Sequence, residues 1–162
     1  MPDAAHAQPR VFLTFAGDDL ARARPLAASL RVAGMAGLDY AVPSEPFTTQ
    51  RADLIRASLA LRLKRCAAAV CLYGPRTLDD EWVRWTLAAA RELGLPLVGA
   101  ALDLTASGGV ADLLRDIGVE IVPLQGEAIR DVLPPAPATR RRELLTVESL
   151  AHTLRMMKQP LR

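Results

Sequence analysis

Residues 66–74, CAAAVCLYG, form a nearly continuous apolar run of the length of a β-strand. Such a run is typical of a strand that is buried on both faces, as in a parallel sheet. Residues 95–102, LPLVGAAL, have the same character, and a helical pattern from about 78 to 93 separates the two runs. The order strand, helix, strand with short connections predicts an α/β fold in this part of the chain.

The same alternation continues on both sides of this central unit. Helical patterns separate the segments, and Gly34 and Gly94 are placed to end the helices before them. Pro25 falls inside the first helical segment, where it either kinks the helix or opens its main part. We therefore predict a flavodoxin-like α/β fold with a five-stranded parallel sheet in the order 2-1-3-4-5 and helices on both faces. The three further strand-like segments are 10–15, 37–43 and 119–124.

The chain of 162 residues is expected to form one domain with short extensions. Its predicted parts are a flexible N-terminal tail (1–9), a folded domain (10–133), a proline-rich linker (134–138) and a basic C-terminal helix (139–162). The last helix is expected to pack on the domain or to extend it, because apolar residues recur through it at helical spacing. They are Leu144, Leu145, Val147, Leu150, Leu154 and Met157.

Bulk charge argues against nucleic-acid binding by the folded domain. The chain carries a net charge of +2, but residues 134–162 hold six Lys/Arg and two Asp/Glu, which leaves −2 for residues 1–133. No stretch reaches the ~18 apolar residues of a membrane span, and the first residues lack the apolar run of a signal peptide. Cys66 and Cys71 lack the spacing of a disulfide framework or a metal site. We therefore expect a cytoplasmic protein that binds neither nucleic acid nor membrane.

The common phosphate-binding and hydrolase motifs GxGxxG, GxxxxGK[ST] and GxSxG do not occur in the sequence. His6 and His152 fall in the tail and in the last helix, which argues against a catalytic triad. The pair Asp18-Asp19 is similar to the acidic pocket of receiver domains, but the later strands do not end in the matching acid and lysine. A helix cap is the favoured role of this pair, and neither a metal site nor a bound cofactor is predicted.

The two tryptophans, Trp82 and Trp85, lie three residues apart near the start of a predicted helix. Thr77 and Asp80 precede them at the spacing of a capping box, which suits a helix start. The rings are therefore either core residues or the wall of a pocket that stacks a flat ligand. We expect one ring to pack on the sheet and the other to be more open, and the spacing leaves open which is which.

These residues resemble a known family. Residues 11–19, VFLTFAGDD, resemble the FxSYxxxD signature of TIR domains. Residues 38–43, LDYAVP, and 71–100, CLYGPRTLDDEWVRWTLAAARELGLPLVGA, resemble the bacterial TIR-like group that includes the TIR proteins of Thoeris anti-phage systems. The resemblance covers about residues 10–102. It implies that the folded domain is a TIR-like domain with a flavodoxin-like fold and a role in signalling or immune defence.

Enzymatic members of that family cleave the glycosidic bond of NAD, so the resemblance implies NAD or a derivative as ligand or substrate. The family's catalytic glutamate lies four residues after the first tryptophan, where this chain has Thr86. A threonine cannot supply a carboxylate, and Glu81 is the acid that is nearest in sequence to take its place. The implied ligand contacts lie at the strand ends and on the tryptophan helix: Thr14, Phe15, Ala16, Gly17, Asp18, Tyr73, Gly74, Trp82 and Trp85.

Three functions follow from these observations. The first is a TIR-like signalling module that binds a NAD-related nucleotide or a partner, with weak or no hydrolysis. The second is an active NAD glycohydrolase or cyclase that uses a displaced acid such as Glu81. The third is an adaptor that works through self-association of TIR-type surfaces and an effector protein, with the basic helix 139–162 as a docking surface. An exposed Phe47 in the loop 44–50 is a candidate contact, and the alternative is a ring folded back onto the domain.

Overall fold

The computed structural model describes residues 9–35, 37–40, 43, 45–103 and 108–133. The predictions for the tail up to residue 8, for the linker 134–138 and for the helix 139–162 fall on residues outside these ranges. None of the described helices combines the length and the apolar character that crossing a membrane requires.

The described strands form one parallel sheet. Its order is β2-β1-β3-β4-β5, and every neighbouring pair of strands runs in the same direction. The predicted α/β fold with a parallel sheet and helices is therefore confirmed. The strands are β1 (Arg10–Thr14), β2 (Gly37–Tyr40), β3 (Ala68–Tyr73), β4 (Leu97–Ala101) and β5 (Glu120–Val122).

Five α-helices cover the two faces of this sheet within the described ranges. Apolar residues of α2, α3 and α4 pack on one face, and those of α1 and α5 pack on the other. The sequence did not indicate α5, because six residues are too few to show a helical period. The helices are α1 (Leu20–Val32), α2 (Gln50–Lys64), α3 (Glu81–Glu92), α4 (Gly108–Asp116) and α5 (Gly126–Asp131).

Strand β3 is buried along its whole length, as the apolar run predicts. Side chains alternate between the faces of a strand, so Cys71 and Tyr73 join the core under α2–α4, while Val70 and Leu72 join the core under α1 and α5. Each face of β3 therefore contributes to a different core. This double burial removes β3 from solvent and places it at the centre of the domain.

The start of α3 differs from the prediction. Residues Thr77–Asp79 form a 3-10 turn, and α3 begins at Glu81. Asp80 rather than Thr77 caps the helix, because its carboxylate accepts the N–H groups of Trp82 (2.9 Å) and Val83 (3.3 Å). The buried Thr77 hydroxyl instead accepts the N–H of Gly74 at 2.7 Å and closes the turn after β3.

The start of α1 also departs from the expected cap. Asp19 occupies the cap position, but its side chain makes no capping hydrogen bond, and the preceding residues form a 3-10 turn. Pro25 lies inside α1 rather than at its start. The two predicted helix ends are confirmed, since Gly34 and Gly94 adopt φ values of 91° and 68°, a conformation that side chains disfavour.

Close packing of α5 on α1 yields a first prediction. A Cβ atom added at Gly126 would lie 2.9 Å from the carbonyl oxygen of Ser29 and 3.0 Å from the Cβ of Ala33. Gly126→Ala should therefore force α5 away from α1 and lower the free energy of unfolding by about 1–3 kcal/mol in urea titrations. Gly109→Ala in α4 is the matched control, because nothing lies within 4 Å of the added methyl. Equal stability of the two variants would contradict the packing described.

Burial of the two thiols yields a second prediction. Burial raises the pKa of Cys71 to about 12 and that of Cys66 to about 11, although the charges of Arg10 and Arg62 partly oppose the shift at Cys66. Both thiols should resist alkylation at pH 8 and react only after unfolding.

The same shifts set a pH dependence of stability. Both folded-state pKa values lie above the ordinary value of 9.0, so this contribution is complete below pH 9. Unfolded thiols ionise first as the pH rises, and the free energy of unfolding should fall between pH 9 and about 12. Alkylation of the native protein at pH 8 at the rate of the unfolded chain would show that the thiols are not buried.

Candidate functional site

The candidate site lies where β1 and β3 end side by side. Thr14 of β1 is in register with Cys71 of β3, and the chain turns after each strand toward the start of α3. Ligands of doubly wound sheets bind in the crevice outside such carboxyl ends. The predicted contact residues at the two strand ends are therefore close together in the fold, although their side chains differ in what they face.

Two carboxylates border this crevice. The Asp80 carboxylate lies 3.4 Å from the N–H of Gly17, which donates to it across the turn after β1. The Asp19 carboxylate lies 3.5 Å from the position of a Cβ atom built on Gly74. Both acids were expected only as helix caps, and their position beside the crevice was not predicted. Their shared signal is an aspartate at the cap position of the helix that follows a strand.

The remaining residues at the end of β1 divide between core and surface. Thr14, Phe15 and Ala16 are buried, whereas Gly17 and Asp18 are exposed. The Phe15 ring belongs to the core under α1 and α5 rather than to the crevice. It also lines a shallow apolar depression between β1 and α1, together with Leu13, Leu20, Ala23, Arg24 and Ala27.

Tyr73 likewise belongs to the core under α2–α4. Burial raises the pKa of its phenol, and the nearby charge of Arg115 partly opposes this shift. The backbone carbonyl of Tyr73 accepts the N–H of Leu102 at 2.8 Å, which continues the pairing of β3 with the segment after β4. Tyr73 therefore contributes only its backbone to the crevice, where it leads into Gly74. Gly74 is itself buried.

Both tryptophans are buried, so the expectation that one ring is more open is wrong. Trp82 is 8% exposed and Trp85 is 5% exposed. The indole N–H of Trp82 donates to the backbone carbonyl of Glu45 at 2.9 Å. This hydrogen bond connects α3 to the loop after β2. It also gives the buried indole N–H of Trp82 an acceptor.

A buried arginine completes this contact, and the sequence analysis did not single it out. Arg56 of α2 is 6% exposed. Its guanidinium donates to the Phe47 carbonyl at 2.7 Å and to the Asp53 carboxylate at 2.6 Å. It lies 4.5 Å from the centroid of the Phe47 ring and 5.9 Å from that of Trp82. We call Glu45, Phe47, Asp53, Arg56 and Trp82 the Arg56 cluster.

The Arg56 cluster decides between the two interpretations of Phe47. The ring meets that of Trp82 edge to face, with centroids 5.1 Å apart and an interplanar angle of 74°. It is half-buried and packs against the core. Phe47 is thus folded back onto the domain, and its ring is engaged within the chain.

The two acid candidates of α3 occupy different environments. Thr86, at the family's glutamate position, is 3% exposed, and its hydroxyl donates to the Trp82 carbonyl at 2.7 Å. Glu81 is exposed and lies 3.9 Å from the guanidinium of Arg84. Neither residue has the other as a hydrogen-bond partner, and the carboxylates that border the crevice are those of Asp19 and Asp80.

Two comparisons bear on the identity of the chain. A family model described as Thoeris protein ThsB, TIR-like domain, matches residues 12–107. The matched segment begins in β1 and ends beyond β4, and it therefore contains the crevice, α3 and the Arg56 cluster. A search of curated proteins found no match.

Substitution of Arg56 tests the cluster. Arg56→Lys replaces a planar group that makes two hydrogen bonds and contacts two rings with a single ammonium, so we expect the free energy of unfolding to fall by roughly 1–3 kcal/mol. Arg51→Lys on the exposed side of α2 is the matched control and should change it by less than about 0.5 kcal/mol. Urea titration followed by tryptophan fluorescence measures both, because Trp82 reports on the cluster directly. Two equally stable variants would mean that the arginine is not held as described.

Proposed function

Because this chain belongs to the family of Thoeris ThsB TIR-like domains, we propose that it is a signalling module of anti-phage defence that binds a NAD-related nucleotide and hydrolyses it weakly or not at all. The nucleotide occupies the crevice at the ends of β1 and β3. Self-association, or contact with an effector protein, then transmits the signal.

The environment of Thr86 is the single observation on which the proposal of weak or absent hydrolysis rests. Its hydroxyl is buried and already donates to the Trp82 carbonyl, so it has no free proton to offer a substrate. Cleavage of a glycosidic bond develops positive charge on the ribose, which a carboxylate stabilises and a hydroxyl does not. Loss of such a group costs several kcal/mol of transition-state stabilisation, which reduces the rate by orders of magnitude.

The position of Glu81 supports the same conclusion. Its side chain is half exposed and lies near Arg84, on the outer side of α3. Trp82 and Thr86, by contrast, lie on the buried side of the helix. Glu81 therefore lies on a different side of α3 from Thr86, the family's glutamate position.

The chemistry of the crevice favours the nicotinamide riboside part of the ligand. Ionised carboxylates accept hydrogen bonds and repel anions, so Asp19 and Asp80 suit ribose hydroxyls and the positively charged nicotinamide ring better than a phosphate. Gly74 lies beside Asp19, because a Cβ atom built on it would be in van der Waals contact with the carboxylate at 3.5 Å. A nucleotide bound in this orientation carries its phosphates away from the two acids.

The test is a titration with NAD, read both as binding and as nicotinamide release. We expect NAD to raise the melting temperature of the protein without nicotinamide release above the blank. Asp19→Asn should weaken binding roughly tenfold, the effect of losing a hydrogen bond to a charged acceptor. Asp79→Asn is the matched control, because the Asp79 side chain is 71% exposed and pairs with Arg76.

Three outcomes would overturn this proposal. Nicotinamide release that Glu81→Gln abolishes would establish a glycohydrolase with a relocated acid. The absence of NAD binding together with a mass that rises with protein concentration would favour an adaptor. Equal affinities of the Asp19→Asn and Asp79→Asn variants for NAD would indicate that the ligand binds outside the crevice. Thr86→Glu provides the complementary measurement, since a gain of nicotinamide release would support an otherwise complete NAD site.

A further inference from the structure

The end of the sheet at β5 presents apolar side chains to solvent. β5 pairs with β4 on one side only, and no described element pairs with its other side. Its Ile121 and Val122 are half-buried, unlike the residues of β3. Leu113 of α4 is 56% exposed and Leu124, just after β5, is 37% exposed. We call the surface of residues 108–133 the β5 edge.

The β5 edge is acidic. Residues 108–133 carry five Asp/Glu residues and two arginines, a net charge of −3, and three of the acids lie on α4 and β5, the elements beside Leu113. One arginine, Arg115, pairs with Asp112 at 2.9 Å. The other four acids form no ion pair within the described part of the chain. The five acids are all exposed: Asp112, Asp116, Glu120, Glu127 and Asp131.

The chain that follows has the complementary character. Residues 134–162 carry six Lys/Arg and two Asp/Glu, a net charge of +4. Val147, Leu150, Leu154 and Met157 follow at intervals of three, four and three, the spacing of one helix face. A basic segment with an apolar face thus comes directly after an acidic surface with exposed leucines.

The connection is long enough for this segment to reach the β5 edge. The described chain ends at residue 133, two residues after α5. The five residues of the linker 134–138 span up to about 17 Å when extended, whereas a helix with its side chains is about 10–12 Å wide. The linker therefore spans more than the width of one helix, which lets the segment begin beside α5 and β5.

Charge distinguishes this surface from the other exposed apolar positions. Val32 of α1 is 90% exposed, but it follows Arg31 at the basic end of that helix. Leu54 and Leu61 of α2 lie along a helix that carries four Lys/Arg and one Asp. Both helices would repel a segment of charge +4, whereas the β5 edge attracts it.

We infer that residues 139–162 dock as an amphipathic helix on the β5 edge of their own domain. The apolar face covers Leu113, Leu124 and the open side of β5, and the basic residues face Asp116, Glu120 and their neighbours. The segment thereby closes the sheet edge that would otherwise be available to another chain.

Hydrogen exchange of the full chain, read by mass spectrometry, tests this inference. Amides of residues 144–157 should exchange at least about tenfold more slowly than in an unstructured peptide. Asp116→Lys should reduce this protection by roughly fivefold, and the triple variant Arg140→Glu, Arg141→Glu, Arg142→Glu should do the same. The control Asp79→Lys alters the net charge equally at the other end of the domain and should leave it unchanged.

Peptides from β3 serve as the internal reference for folding, so a general loss of structure is distinguished from undocking. The inference is overturned if the segment is unprotected in the unmodified chain, or if neither Asp116→Lys nor about 0.5 M salt reduces its protection. Protection that appears only at high protein concentration, together with a doubled mass, would assign the β5 edge to the segment of a second copy and would also overturn it.

Discussion

Burial of β3 on both faces is the constraint on which the rest of the structure depends. A strand with no solvent-exposed face needs helices on both sides of its sheet, and parallel connections supply them. That arrangement puts the ends of β1 and β3 side by side and directs both toward α3. The position of the crevice follows from this geometry. The side chains that border it, those of Asp19 and Asp80, come from the sequence of the turns that follow β1 and β3.

The class of the fold could be predicted because burial of β3 and β4 on both faces requires apolar runs, which are visible in the local sequence. The apolar runs that became β3 and β4 contain no polar residue that would tolerate solvent. The start of α3 could not be predicted in the same way. Thr77 and Asp80 are both good cap residues, and only the extended backbone at Asp80, with ψ of 115°, decides between them. Propensity ranks the candidates, but the path of the preceding turn selects one.

The candidate site was predicted less completely, since its residues depend on contacts between distant segments. The strand ends could be located from the pattern, but the two tryptophans could not be assigned to core or crevice. Burial of Trp82 depends on Arg56 and on the loop after β2, which contribute the guanidinium and the carbonyl that contact its ring. An arginine in a helix ordinarily lies on the solvent-exposed side of that helix. Nothing local to α2 signals that Arg56 contacts two aromatic rings.

The order of the strands has a consequence for the growing chain. Val11 of β1 pairs with Leu38 of β2 on one side and with Ala68 of β3 on the other. During synthesis from the N-terminus, β1 and β2 are complete well before β3 exists, so β1 exposes an unpaired apolar edge in that interval. Such an edge is a template for association with other chains. The residues between β2 and β3 thus set how long each nascent molecule is open to misassociation.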